Sequence, residues 1–174
     1  MPKKNPVCSH CGNPVEPVRQ SYRYLESGLS NVVLQGVEVA DCSHCGNQDV
    51  TLPHLEKIHR AIAQALSNSP SRLNGEQIRF LRNHLGLTGE GLGKYLHTDR
   101  TKISKWEHGE DRMGPTSDRL LRLLVAILDE EIRPTVVTVA EHLPLIVDST
   151  ESLWELHVDV DSLVASYLKV SVAA

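Results

Sequence analysis

The sequence predicts an α+β fold: a small β-rich N-terminal domain gathered around cysteines, an all-α domain of short helices, and a C-terminal extension. Three observations predict it. The pentapeptide Cys-Ser-His-Cys-Gly occurs twice, at Cys8–Gly12 and Cys42–Gly46, and holds every cysteine of the 174-residue chain. Between the copies lies a run rich in β-branched residues, Val32-Val-Leu-Gln-Gly-Val-Glu-Val39. After Ser71, four helical signals with capping residues follow in quick succession.

The cysteines come first. Two residues separate the thiols within each pair, and residues 12–41 separate the pairs. That is the spacing of a four-thiolate zinc site built from two knuckles. A two-residue gap lets both sulfurs of a pair face one ion, and the glycine after each second cysteine permits the positive φ such a turn needs. Cys8, Cys11, Cys42 and Cys45 are the expected ligands of one structural Zn2+ per chain. Two disulfides would require an oxidising compartment. The start, Met1-Pro-Lys-Lys-Asn-Pro-Val7, has no apolar core and is not a signal peptide. No apolar run reaches membrane-spanning length, so a cytoplasmic chain without membrane contact is expected. Redox chemistry at one CxxC would leave the second unexplained. Four thiolates fill a tetrahedral ion and leave no position for a reacting water, so the metal is expected to fold a small domain, not to catalyse. His10 and His44 lie inside the knuckles and are expected to point outward.

Val15–Tyr24 and Asn31–Ala40 read as strands, broken at Glu26-Ser-Gly28. Pro53 to Leu66 reads as a helix, with Pro53 in its first turn and Leu55, Ile58, Ile62, Ala65 and Leu66 at helical spacing. Residues 1–66 are thus the zinc-binding domain with its C-terminal helix. Ser67-Asn-Ser-Pro-Ser71 is a short polar linker.

Residues 72–133 form the helical domain. Asn74 caps a first helix, with Gln77 as reciprocal capping partner and Ile78, Leu81 and Leu85 inward. Thr88 caps a short second helix ending near Leu96. Asp99 caps a third that runs to His108 and stops at Gly109. Ser117 caps a fourth, with Leu120, Leu121, Leu124, Ile127 and Leu128 as an apolar face, and Pro134 ends the run.

Charge is unevenly spread over a net −4. Residues 134–174 carry one basic and six acidic side chains, more than the whole negative excess, whereas Lys94, Arg100, Lys102 and Lys105 face only Asp99. A small basic surface on an acidic chain suits local contact with phosphate, not general adhesion to nucleic acid.

Two short helices joined tightly at 88–96 and 100–108 make a helix-turn-helix. The segment from Leu87 to Asp99, with Ile103-Ser-Lys-Trp-Glu-His-Gly109 and Pro115, resembles the Xre-type helix-turn-helix of phage-repressor relatives. With the upstream Cys8, Cys11, Cys42 and Cys45, the arrangement resembles the MqsA-type antitoxins, which join a YgiT-type zinc finger to that motif; the match covers about residues 7–131. Recognition helices read base edges from their N-terminal residues. Arg100, Thr101, Lys102 and Lys105 are therefore the expected DNA-binding residues. By resemblance, Thr101 and Lys105 occupy base-contacting positions. Ile103 and Trp106 share another face and are expected in the core, with Glu107 as a polar anchor. The chain departs from the family at Gly89, where glutamine is usual, so no contact is carried over there. Gly89 and Gly91 weaken the second helix, while Gly93 stands where two helices approach closely.

Beyond the resemblance, residues 134–174 suggest a strand at Thr135–Val139, a second through Leu156, Val158 and Val160, and a final helix capped by Asp161 with Leu163, Val164, Tyr167 and Leu168 on one side. A packing or dimerisation extension is the favoured role, and an acidic decoy for a cationic partner the alternative. The resemblance implies an antitoxin, not an enzyme. It would neutralise a cognate toxin of the RelE-like mRNA interferase class and, as a homodimer, repress its own operon at palindromic operator DNA. The alternatives are a stand-alone zinc-containing regulator and a zinc-dependent enzyme.

Overall fold

The computed structural model describes residues 6–132, 136–146 and 154–169. It is a mixed α+β structure in the order β1 (Val18–Arg23), β2 (Val32–Asp41), β3 (Gln48–Thr51), α1 (Leu55–Ser67), α2 (Gly75–His84), α3 (Gly89–Leu96), α4 (Arg100–Glu107), α5 (Pro115–Leu128), α6 (Val136–His142), β4 (Trp154–Asp159) and β5 (Ala165–Lys169).

β2 organises the sheet. Its valines and leucine suit a strand buried on both faces, and Val32, Leu34 and Val37 are fully buried. β1 pairs antiparallel along one edge of β2. The other edge is shared: β3 pairs antiparallel with Glu38–Asp41, while β4 pairs parallel with Val32–Gln35. β5 completes the five strands by pairing with β4. The C-terminal extension therefore supplies two strands to the sheet that carries the cysteine knuckles.

α1 packs against α5 and α2 and also touches β4 and β5. Its Ile58, Ile62, Ala63 and Leu66 join one continuous core with Leu34, Leu81, Leu92, Ile103, Leu121, Val139, Leu156 and Val158. A second, small cluster holds only Cys8, Val15, Ala40 and Cys42, with Cys11 against it. Among the described residues, that end of the sheet gathers little apolar area beyond the cysteines themselves.

The helical caps match the sequence reading at three positions. Asn74 and Gln77 close a reciprocal capping box. The Thr88 hydroxyl accepts from Gly91 N–H at 3.0 Å, and the Asp99 carboxylate from Lys102 N–H at 2.8 Å. Gly109 ends the α4 region at φ 72°.

Five expectations are corrected. α1 starts at Leu55, after His54 in the left-handed region, so Pro53 lies outside the helix. α5 starts at Pro115, whose fixed φ suits a first helical position, and Ser117 lies within the helix, not at its cap. Its apolar residues split: Leu121 and Leu124 are buried, while Leu120, Ile127 and Leu128 are exposed. Val136–His142 is helix where a strand was expected, because Val139 turns into the core against α5. Ala165–Lys169 is a strand where a helix was expected, because the ladder offered by β4 outweighs the local apolar spacing. Pro134 lies outside the described residues. Among the described residues, no helix is long and apolar enough to cross a membrane.

Candidate functional site

The two cysteine hexapeptides fold alike. In the first, Cys8 N–H donates to Asn13 O at 2.8 Å and Gly12 N–H to Cys8 O at 3.0 Å. In the second, Cys42 N–H donates to Asn47 O at 2.9 Å and Gly46 N–H to Cys42 O at 2.8 Å. Gly12 and Gly46 sit at φ 72° and 73°, a region costly for any residue with a Cβ. Each turn aims both of its sulfurs at the same point.

The Val7–Pro14 bridge closes the base of the first knuckle, and the pairing of β1 with β2 sets it beside the second, which follows β2. The four sulfurs lie within 4.8 Å of one another. Cys8 Sγ is 3.7 Å from Cys45 Sγ and Cys11 Sγ is 3.5 Å from Cys42 Sγ. A tetrahedral ion with metal–sulfur bonds of about 2.3 Å sets its sulfurs about 3.8 Å apart. A disulfide would need about 2.05 Å, and all four cysteines are free. The donor set fits a metal ion. His10 and His44 are exposed, and neither belongs to the four-residue cluster.

The thiols are electrostatically unequal. The Asn13 amide donates to Cys11 Sγ at 3.3 Å and, with the Asn13 backbone, lowers that thiol to about 6. The Asn47 backbone N–H favours the Cys45 thiolate, but desolvation and the hydrogen bonds of the three neighbouring thiols push it up to about 12. A cation held by the four sulfurs would favour the thiolate form of each.

The second candidate region is α4. Ile103 and Trp106 are buried, as expected from their spacing, and fix which side of the helix faces the core. Glu107 anchors the helix to α2: Arg82 donates to its two oxygens at 2.5 and 3.1 Å, and Arg79 approaches at 3.6 Å. The same Arg82 donates to Leu87 O at 2.9 Å, so one guanidinium ties α2, the loop before α3, and α4. Arg100, Thr101 and Lys105 are exposed on this helix. Lys102 differs, because its ammonium pairs with Asp111 in the following loop.

Sequence reasoning missed several partners. Asp49 accepts hydrogen bonds from the first knuckle, and nothing in its local sequence signals this. Asn13 and Asn47 had a signal, since each extends the repeat to six residues. Arg122, fully buried, pairs with the fully buried Asp118 at 2.8 Å. It also donates to the carbonyls of Leu66, Ser69 and Ser71 at 3.1, 2.6 and 2.5 Å. The polar segment 67–71 is therefore gripped by a buried cation. No known family model, curated protein or solved structure matches the chain.

Proposed function

We propose that this chain is a zinc-containing antitoxin that binds operator DNA as a homodimer and neutralises a cognate toxin. The observation that carries the DNA half is the exposed face of α4. A rigidly anchored short helix presents Arg100 and Thr101 to solvent in its first turn and Lys105 one turn further on, with its opposite side buried. α3 and α4, joined through His97 in the left-handed region followed by Thr98 and Asp99, have the compactness of a helix-turn-helix. In that role Lys105 donates to guanine O6 or N7 and Thr101 reads an edge or a thymine methyl, while Arg100 contacts phosphate. Two copies would span successive major grooves about 34 Å apart. The exposed Leu120, Ile127 and Leu128 on α5 give a second copy an apolar surface.

The toxin half rests on the order of motifs, cysteine knuckles followed by an Xre-like pair, which resembles the MqsA-type antitoxins. Zn2+ is the ion that best suits four thiolates in a reducing compartment, and it would cross-link the end of the sheet where the apolar core is thin. Inhibition would then proceed by masking a RelE-like ribonuclease, without chemistry by this chain.

Two measurements test the reading. Expressed from its native operon, the tagged chain is expected to co-purify with a small basic protein in fixed stoichiometry and to shift its own promoter DNA. A homodimer that shifts the promoter and brings no partner would leave a stand-alone regulator; absence of any shift would remove the DNA reading. Thr101→Ala and Lys105→Ala are each expected to weaken specific binding roughly 10- to 100-fold. Lys102→Ala is expected to do less, because its ammonium is already held by Asp111.

A further inference from the structure

The hexapeptides Cys8–Asn13 and Cys42–Asn47 are identical in sequence, yet their surroundings differ. Ser9 N–H donates to Asp49 Oδ2 at 2.9 Å, and the Ser9 hydroxyl donates to Asp49 Oδ1. The Asn47 amide donates to the same Oδ1 at 2.9 Å, and lies 3.4 Å from Ser9 Oγ and 3.9 Å from Cys8 Sγ. The equivalent Asn13 amide turns instead to its own knuckle, onto Cys11 Sγ. Ser43, the counterpart of Ser9, makes no hydrogen bond among the described residues.

Asp49 belongs to β3, which follows the second knuckle directly. Its carboxylate reaches across 40 residues of sequence to the first knuckle. Two backbone turns separated by a long connection lose considerable freedom when one ion gathers them. A fixed acceptor that takes three hydrogen bonds from the two knuckles removes part of that loss in advance.

We propose that Asp49 is a positioning residue for the metal centre, clasping the first knuckle to the second through Ser9 and Asn47. The proposal rests on the four thiols binding a metal. The carboxylate is not one of the four clustered ligand groups; it holds Ser9, and through it the Cys8 and Cys11 turn, beside Cys42 and Cys45. The asymmetry is the signature: equal substitutions in identical repeats have unequal effects.

The test uses the full chain stripped of metal. Co2+ is titrated in and followed by the thiolate-to-cobalt charge-transfer and d–d bands, and Zn2+ affinity is measured by competition with a chromophoric chelator. Failure of the wild-type chain to give a tetrathiolate cobalt spectrum would overturn the metal reading itself. Given that spectrum, Asp49→Ala is expected to weaken Zn2+ binding by about tenfold or more, the range of outer-shell partners, and Ser9→Ala, which keeps the Ser9 N–H bond to Asp49, by a smaller but measurable factor. Their cobalt spectra keep the tetrathiolate shape, because the ligands are unchanged. Asp49→Asn, which retains an acceptor oxygen, is expected to fall between. Ser43→Ala is expected to bind as the wild type does. Wild-type affinity in Ser9→Ala, or an equal loss in Ser43→Ala, overturns the clasp, and this solvent-exposed serine pair decides the matter even if Asp49→Ala does not fold.

Discussion

Arg122 shows what one side chain can do when it is taken wholly out of water. Its guanidinium pairs with Asp118 and donates to carbonyls that leave the end of α1 and enter α2. Asp118 in turn accepts from Leu73 N–H at 2.8 Å and faces Arg72 at 3.7 Å. Removing one partner strands a buried charge and several carbonyls. Arg122→Met is therefore expected to destabilise the chain by about 3–5 kcal/mol, measured by urea denaturation. A loss below 1 kcal/mol would mean that water or relaxation replaces the network. Asp129 offers a pH signature. Burial alone would push its carboxyl up, but His84 at 2.8 Å, the Glu131 and Ile132 N–H groups and Arg60 hold it below the ordinary carboxylate range. A depressed carboxyl contributes stability above its unfolded value of about 3.9, and that contribution is lost as pH falls through the folded value. Asp129→Asn should therefore lose less stability than the wild type between about pH 5 and pH 2, in urea titrations at stepped pH.

Helix α3 carries glycine at three of its eight positions, and the packing separates them. A Cβ on Gly93 would stand 2.5 Å from Thr98 O, inside the turn that leads to α4. Gly75, at the start of α2, is equally confined, 2.5 Å from Glu107 O. These two glycines let α4 approach its neighbours. Gly89 meets only Arg100 Cγ at 3.4 Å and Ile103 Cγ2 at 4.0 Å, ordinary contacts. Gly93→Ala is expected to destabilise the pair of helices and to weaken DNA binding. Gly89→Ala is expected to stabilise by up to about 1 kcal/mol, a rise of a few degrees in Tm by calorimetry. The opposite order would show that α3 is shaped by something other than its contact with α4. The close approach at Gly93 was legible from its place in the motif. Gly75 was not, because the crowding comes from a carbonyl more than thirty residues away.

At the scale of the whole molecule the extension is part of the sheet. Leu156, Val158 and Val160 are buried, and the β4 backbone pairs with Val32–Gln35. A chain ended after residue 133 is expected to expose that edge of β2 together with Val32 and Leu34. Each buried Leu or Val contributes about 1.5–3 kcal/mol, so a loss of several kcal/mol is expected, with self-association by edge pairing. Thermal unfolding and light scattering of the truncated chain check this; an unchanged monomer would show the strands to be dispensable. The Gln35–His157 contact at 2.7 Å adds a polar link across the same junction, and Arg23–Glu155 at 2.7 Å ties β4 to β1 across β2.

What the sequence determined by itself was local. Duplicated thiol spacing, the capping residues Asn74, Thr88 and Asp99, and the inward pair Ile103 and Trp106 each act over a few residues, where geometry follows directly from chemistry. The mixed α+β character and the β2 strand were legible for the same reason. Only the tertiary structure decided the rest. It turned Val136–His142 into helix and Ala165–Lys169 into strand, because packing against α5 and pairing with β4 outweigh weak local preference. It committed Lys102 to Asp111, and it placed Asp49 on Ser9 and Arg122 on the 67–71 segment. Those partners are far apart in the chain, and a charge or hydrogen-bonding group carries no local mark of the distant partner that will satisfy it once water is excluded.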